Sequence, residues 1–322
     1  MRKFVFTCGD INGIGPEIVV KTLNRICDQK NTSFIFVVPS NVFSEIIKIV
    51  KPVFKYEILK EYVDNLTVPV QVIDIGNAAI TPGKATKVSG RISFDSLKYA
   101  FDLTHTKKAD ALITAPISKT AFNLANINFP GHTELLAEWS GSKNFLMMFL
   151  SKKMKAALLT IHKPIRKVPQ LISEERLIKS LQLINSTLKR DFDIPKPKIA
   201  VLGLNPHAGE EGLIGNEEET IIKPAIKKVK YVSGPFSPDA FFGSKKYSEF
   251  DMILGMYHDQ VLIPFKMKNF SSGVNFTAGL DIVRTSPDHG VAYDIAWKNI
   301  ANETSLYYAY KYARMISFNK SK

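Results

Sequence analysis

Three apolar runs end alike. Ala156-Ala157-Leu158-Leu159-Thr160-Ile161 leads to His162, Ile199-Ala200-Val201-Leu202-Gly203-Leu204 to Asn205-Pro206-His207, and Met252-Ile253-Leu254-Gly255-Met256 to Tyr257-His258. Runs this short and this apolar suit strands buried on both faces, as in parallel sheets covered by helices. The first part of the chain follows the same grammar, with strand patterns at residues 2–8, 34–38, 70–75 and 111–115. Helical patterns intervene from Pro16, over 42–50 and over 89–106, and another closes the chain at 303–318. Strand and helix in turn predict an α/β fold with mainly parallel sheets. A chain of 322 residues is long for one core and suggests roughly two domains. We therefore expect two α/β/α lobes with the active site in the cleft between them. Residues 1–125 and 290–322 would form the first lobe, and 126–289 the second, which carries most of the candidate site.

Composition narrows the function classes. The formal charge is +13, but basic pairs such as Lys107-Lys108, Lys152-Lys153, Lys227-Lys228 and Lys245-Lys246 are dispersed rather than gathered in one tract. That pattern reads as a lysine-rich solvated surface and predicts no nucleic-acid partner. A positive field would also help to collect a small phosphorylated substrate. No apolar run is long enough to span a bilayer, so no membrane association is expected. Cys8 and Cys27 are the only cysteines and lack a metal-type spacing, which fits a cytoplasmic protein without a disulfide framework.

The strand-end histidines carry the chemistry. Carboxyl ends of parallel strands line one side of a sheet, so His162, His207 and His258 could meet there. Taken singly, each is more often a hydrogen-bonded or surface residue. Three neutral imidazoles would suit a divalent metal and leave a coordination position open for polarising a substrate oxygen. Lys266, Asn275, Arg284, Asp288 and His289 follow at loop-like intervals. Lys266 and Arg284 supply fixed positive charge and Asn275 a neutral partner, a set suited to phosphate or carboxylate. Asp259, beside His258, is a candidate base or an orienting partner of that ring. With Lys266 it makes up the candidate catalytic pair.

Two further stretches could meet an anion. Gly131, His132 and Thr133 precede a helical pattern, where free N–H groups and the helix dipole favour negative charge; the alternative is capping by Thr133. The glycine-rich residues 9–15 join the first strand to a helix opening at Pro16. They resemble a phosphate cradle but lack the Walker lysine and the full dinucleotide fingerprint, so a tight turn is an equal reading. His289 stands at the opening of a helix expected through Trp297, and His105 lies in a solvated helix without the strand-end context.

These residues alone permit a metallohydrolase as readily as a dehydrogenase. Six stretches, GDINGIGPEI, TAPISKTAF, FPGHTELLAEWSG, LNPHAGEEGLIGNEE, MYHDQVLIPFK and VNFTAGLDIVRTSPDHGVAYDIA, together resemble the 4-hydroxythreonine-4-phosphate dehydrogenases of pyridoxal phosphate biosynthesis. The resemblance implies a fold similar to isocitrate and isopropylmalate dehydrogenases. It implies oxidation of the 3-hydroxyl of 4-phosphooxy-L-threonine, then decarboxylation to 3-amino-2-oxopropyl phosphate, with NAD or NADP and a divalent metal (zinc, magnesium or cobalt). By the same resemblance His162, His207 and His258 match metal ligands, and His132, Thr133, Lys266, Asn275 and Arg284 match substrate-binding positions. A homodimer with the metal site shared across the interface is also implied. The chain departs from the family pattern at Ile11-Asn12, where Pro-Ala is usual, and at Val261, where Gly is common. Related readings are a dehydrogenase of phosphorylated threonate or erythronate, a phosphate acyltransferase and a metallophosphatase.

Overall fold

The computed structural model describes residues 1–65, 67–129 and 131–321. Its chain divides into two compact units: Met1–Gly141 with Leu280–Ser317, and a second from Ser142 to Gly279 joined by the residues from Phe318 onward.

The first unit opens with β1 (Arg2–Thr7), α1 (Gly15–Ile26), β2 (Thr32–Val38), α2 (Ser40–Ile49), β3 (Tyr56–Leu59) and β4 (Val70–Asp74). It continues through α3 (Lys87–His105), β5 (Ala111–Ile113), α4 (Lys119–Leu124) and α5 (His132–Trp139). The second unit holds β6 (Leu146–Leu150), β7 (Lys155–Leu158), α6 (Glu174–Phe192), β8 (Ile199–Leu202), α7 (Lys223–Lys227), β9 (Val232–Phe236), α8 (Pro238–Gly243), β10 (Met252–Gly255), α9 (His258–Asn269) and β11 (Val274–Ala278). The chain then returns to the first unit with β12 (Arg284–Pro287) and α10 (Thr304–Asn319), whose last residues fall in the second.

Strand order in the first unit is β3-β4-β2-β1-β5-β12, and every pair is parallel. The second unit reads β11-β6-β7-β10-β8-β9; β6 runs antiparallel to both its neighbours, and the other pairs are parallel. The expected α/β class with mainly parallel sheets is what the chain forms, because largely apolar strands such as β2, β8 and β10 are buried throughout. The unit borders fall elsewhere than expected: residues 126–141 and 280–289 lie in the first unit, and those from Phe318 in the second. α5 follows β5 and α4 in that unit, and β12 pairs with β5. No shift in composition announces either border.

Packing explains which residues hold each unit. In the first, Tyr310 of α10 lies edge-on to Phe4 and Phe34, with ring centroids 5.1 and 5.6 Å apart. The closing helix therefore serves the core. In the second, Phe149, Leu158, Leu202, Ile253, Val261 and Phe265 share one buried cluster. Val261 enters it against Gly255: a Cβ at Gly255 would stand 2.0 Å from Val261 Cγ2. Val261 thus depends on the missing side chain opposite. We expect Gly255→Ala to cost about 1–3 kcal/mol through overpacking, and Gly255→Ala/Val261→Gly to recover part of that loss in urea melts. Additive losses in the double variant would show that the two positions do not compete for space.

Candidate active site

In the second unit, β7, β10 and β8 are neighbours and parallel, so their carboxyl ends do share one side. Hydrogen bonds join two of those ends: Leu159 N–H donates to Gly255 O at 2.9 Å, and Thr160 Oγ1 to Met256 O at 2.6 Å. The result is a pair of imidazoles. His162 and His258 have ring centroids 5.8 Å apart at an interplanar angle of 39°. His162 takes a left-handed φ of 49° just past β7, and His258 is the first residue of α9. His258 Nδ1 lies 2.6 Å from Asp259 Oδ1. With Nδ1 held by a carboxylate, Nε2 is left to face a ligand, the usual arrangement behind a metal-binding histidine.

His207 does not join them within one chain. Among the described residues no three His, Cys, Asp or Glu side chains are grouped to hold a metal; of the three strand-end histidines, His162 and His258 are the two that lie side by side. Residues 207–211 all have positive φ, from 41° to 81°, a left-handed turn just after β8. Four of the five are not glycine, and such a conformation costs roughly 1–2 kcal/mol for each of them. Asp239, at the start of α8, stands near His207. Its carboxyl is held below the usual range by the Ser237 hydroxyl and the Ala240 N–H, with a smaller contribution from His207. Ser-Pro-Asp at a helix start is the sequence signal for Asp239.

Lys266 and Asn275 occupy regular elements rather than loops. Lys266 is half-buried on α9, eight residues or about 12 Å of helix rise beyond His258. Asn275 is half-buried on β11, and its Oδ1 is sealed from solvent without a hydrogen-bond donor.

A different cluster forms in the first unit. Arg284, at the start of β12, is only 2% exposed; its Nε and Nη2 donate to Thr114 Oγ1 at 3.1 and 2.8 Å. Burial brings the guanidinium down to about 9, opposed by the nearby Glu134 carboxylate. His132 opens α5 beside it. Its Nε2 is sealed from solvent with no hydrogen-bond partner. Burial, reinforced by Arg284, holds this imidazole well below 6.5 and therefore neutral. Thr133 is buried at the second helical position, but the N-cap is Gly131, with no side-chain cap. The capping alternative for Thr133 therefore fails. Pro130, before this start, lies outside the described residues.

The loop at residues 9–15 is packed shut. A Cβ at Gly9 would meet Pro116 O at 2.3 Å, at Gly13 Val291 O at 2.7 Å, and at Gly15 Cys8 O at 2.2 Å. Its glycines admit neighbouring backbone, so the cradle reading gives way to the tight turn. Asn12, fully buried, explains the departure from Pro-Ala: Nδ2 donates to Lys84 O at 2.9 Å and Oδ1 accepts from Thr81 N–H at 2.8 Å. The helix expected from His289 through Trp297 is absent. Ala292 and Trp297 adopt left-handed φ and only Tyr293–Ile295 makes a 3-10 turn.

The neutral His132 gives a pH test. Its folded pKa is depressed below 6.5, so the unfolded chain binds a proton that the folded chain refuses, and stability falls as pH drops below that value. Between pH 6.5 and about 5, wild type should lose up to ~1.4 kcal/mol per pH unit more than His132→Asn. Equal slopes in urea melts across that range would show that the folded ring takes the proton freely.

A family model described as "Pyridoxal phosphate biosynthetic protein PdxA" matches residues 29–313. A curated "4-hydroxythreonine-4-phosphate dehydrogenase" of Sulfurihydrogenibium sp. is 41% identical over 309 residues, 95% of each chain. One of the same description from Aquifex aeolicus is 38% identical, covering 96% of each. A crystal structure of 4-hydroxythreonine-4-phosphate dehydrogenase from Klebsiella pneumoniae superposes with a TM-score of 0.86 at 33% identity, over 98% of this chain and 100% of that one. A sheet order, a core and a set of strand-end histidines read from this chain thus coincide with full-length similarity, and the chain belongs to the PdxA family of pyridoxal phosphate biosynthetic proteins.

Proposed function

We propose that this chain is an oxidoreductase acting on 4-hydroxythreonine 4-phosphate. It takes a hydride from C3 and a proton from the C3 hydroxyl, after which the 3-oxo acid loses its carboxylate as carbon dioxide. The observation that carries the reading is the His162–His258 pair, since an acyl transfer to phosphate needs no paired imidazoles and a phosphatase metal shell is more often carboxylate-rich.

The donor chemistry fits a divalent ion: His162 and His258, with His207 from a second copy of the chain, would hold it. Zinc, magnesium or cobalt there would supply Lewis acidity toward a substrate oxygen. Asp259 keeps the His258 ring in one tautomer and orientation. The oxidant is a nicotinamide cofactor, NAD or NADP, and no residue of the 9–15 loop is assigned to it, because those glycines are occupied by backbone.

Arg284 and His132 are assigned to the substrate's anionic end. A buried guanidinium binds phosphate or carboxylate with two parallel hydrogen bonds, and a neutral His132 adds Nε2 as a hydrogen-bonding group without extra charge. Thr133, at the start of α5, adds a hydroxyl and the helix dipole. Lys266 contributes a cation and Asn275 an acceptor. Asp259 and Lys266 remain the candidates for proton transfer.

A homodimer is part of the proposal. Ile263, Met267 and Phe270 are 59%, 82% and 83% exposed and recur at a spacing that puts them on one side of α9, the helix that begins at His258. An apolar stripe of this kind suits a protein interface. Among the described residues no helix is long and apolar enough to cross a membrane, and Cys8 and Cys27 are free thiols. Both are consistent with a cytoplasmic enzyme.

The direct test supplies the full chain with NAD or NADP, a divalent metal and 4-phosphooxy-threonine, and follows reduced nicotinamide and carbon dioxide. Faster turnover of phosphorylated threonate or erythronate would reassign the substrate, and no turnover of either class would reject the reading. Arg284→Lys keeps the charge but loses the fork. The lost charge-assisted contact of roughly 1.5–3 kcal/mol should raise KM some 10- to 100-fold with a smaller change in kcat; an unchanged KM removes Arg284 from the substrate site. Met267→Asp/Phe270→Asp should sediment as a monomer and lose zinc affinity, whereas a wild type that is itself monomeric would overturn the shared metal site.

A further inference from the structure

The left-handed turn at residues 207–211 needs something to hold it, and the sequence around it is arranged about one carboxylate. Glu218, at the start of the π-helical turn Glu218–Ile222, is fully buried. Its Oε1 accepts from Leu204 N–H at 2.7 Å and Asn205 N–H at 2.8 Å, and its Oε2 accepts from Asn205 Nδ2 at 2.8 Å. Glu217 Oε2 accepts from the same Asn205 amide at 2.7 Å. The walls are glycines. A Cβ at Gly209 would lie 2.7 Å from Glu218 Oε2, and one at Gly203 3.1 Å from Oε1 and 2.9 Å from Ala208 Cα. Gly215 closes over Asn205, where a Cβ would lie 2.3 Å from Nδ2.

The carboxylate therefore holds the backbone that enters the strained turn, at Leu204 and Asn205, and packs against Gly209 inside it. Ala208 N–H donates back to Asn205 O at 3.1 Å, and Ile214 N–H to Gly209 O at 3.2 Å, so the turn is closed on the segment that Glu218 fixes. His207 itself is exposed; its backbone, between Asn205 and Gly209, is the part that is held. We infer that Glu218 is a positioning residue, whose buried carboxylate maintains the left-handed turn that presents the His207 imidazole. This rests on the proposal that His207 is a metal ligand.

The test is a double-mutant cycle on the metal-free full chain, titrated with zinc chloride by calorimetry, with thermal melts alongside. Glu218→Gln places an NH2 where the carboxylate accepts amide hydrogens, and should weaken zinc binding 10- to 100-fold, the usual effect of removing a residue that orients a ligand. His207→Ala should weaken it too. If Glu218 acts through His207, the double variant binds zinc no worse than His207→Ala alone, and excess zinc restores turnover of Glu218→Gln but not of His207→Ala. Independent losses that add, or unchanged zinc affinity in Glu218→Gln, would overturn the positioning role while leaving His207 a ligand. Unchanged zinc affinity in His207→Ala would overturn the ligand reading and the inference with it. Should Glu218→Gln fail to fold, Asn205→Ala removes the amide shared by Glu217 and Glu218, keeps both backbone donors, and goes through the same cycle with the same criteria.

Discussion

The side-chain amide of Gln260 is the tie on which the second unit's strand ends depend. Its Nε2 donates to Gly203 O at 2.7 Å, just past β8, and its Oε1 accepts from Met256 N–H at 2.7 Å, just past β10. One buried amide thus satisfies a carbonyl and an N–H at two strand termini where the sheet ladder has stopped, groups that would otherwise be buried without partners. Gln260 lies two residues after His258 and spans the ends that lead to His207 and His258. The hydrogen bonds from Leu159 and Thr160 do the same for the ends that lead to His162 and His258. Rigid strand ends are what allow exposed side chains to carry a defined geometry.

Much of this was legible as pattern. Apolar runs gave the strands, and their shared ending in histidine placed three rings at neighbouring carboxyl ends. The pairing of His162 with His258 follows from β7 and β10 being adjacent, an order that local sequence does not encode. α9 was read as loop because it lacks periodicity: Val261, Leu262 and Phe265 are buried, Ile263 and Met267 are exposed, and Pro264 sits inside it. β6 and β11 were missed because an antiparallel pair inside an otherwise parallel sheet leaves no trace in the alternation of strand and helix.

Backbone conformation was the least visible layer. Asn-Pro-His-Ala-Gly-Glu-Glu-Gly announces a turn, but not a run of left-handed residues through two glutamates, because that conformation is imposed by Glu218 from outside the turn. The glycines of residues 9–15 were ambiguous in sequence. A glycine that lets a phosphate approach and one that lets a carbonyl approach are identical in sequence, and here Pro116, Val291 and Cys8 fill the space. Asn12 sharpens the contrast: it departs from the Pro-Ala that the resemblance leads one to expect, and its amide ties the segment from Thr81 to Lys84 to the loop.

The two candidate clusters are prepared by opposite physics. His162 and His207 are exposed and His258 is half-buried, which suits the proposed role of exchanging water for an ion and remaining open to a substrate oxygen. Arg284 and His132 are desolvated in advance. Removing a guanidinium from water is costly unless an anion or hydrogen bonds compensate; the Thr114 hydroxyl accepts from Nε and Nη2, and the Glu134 carboxylate opposes the lowering that burial causes. Keeping His132 neutral limits repulsion with Arg284, and it leaves an imidazole nitrogen to hydrogen-bond rather than a second cation to compete. A dianionic phosphate arriving at such a cluster gains more than it would at a hydrated lysine patch, because the desolvation was completed when the unit folded. On the proposed assignment, affinity would reside in the buried Arg284, and the dispersed surface lysines would serve only to collect anions.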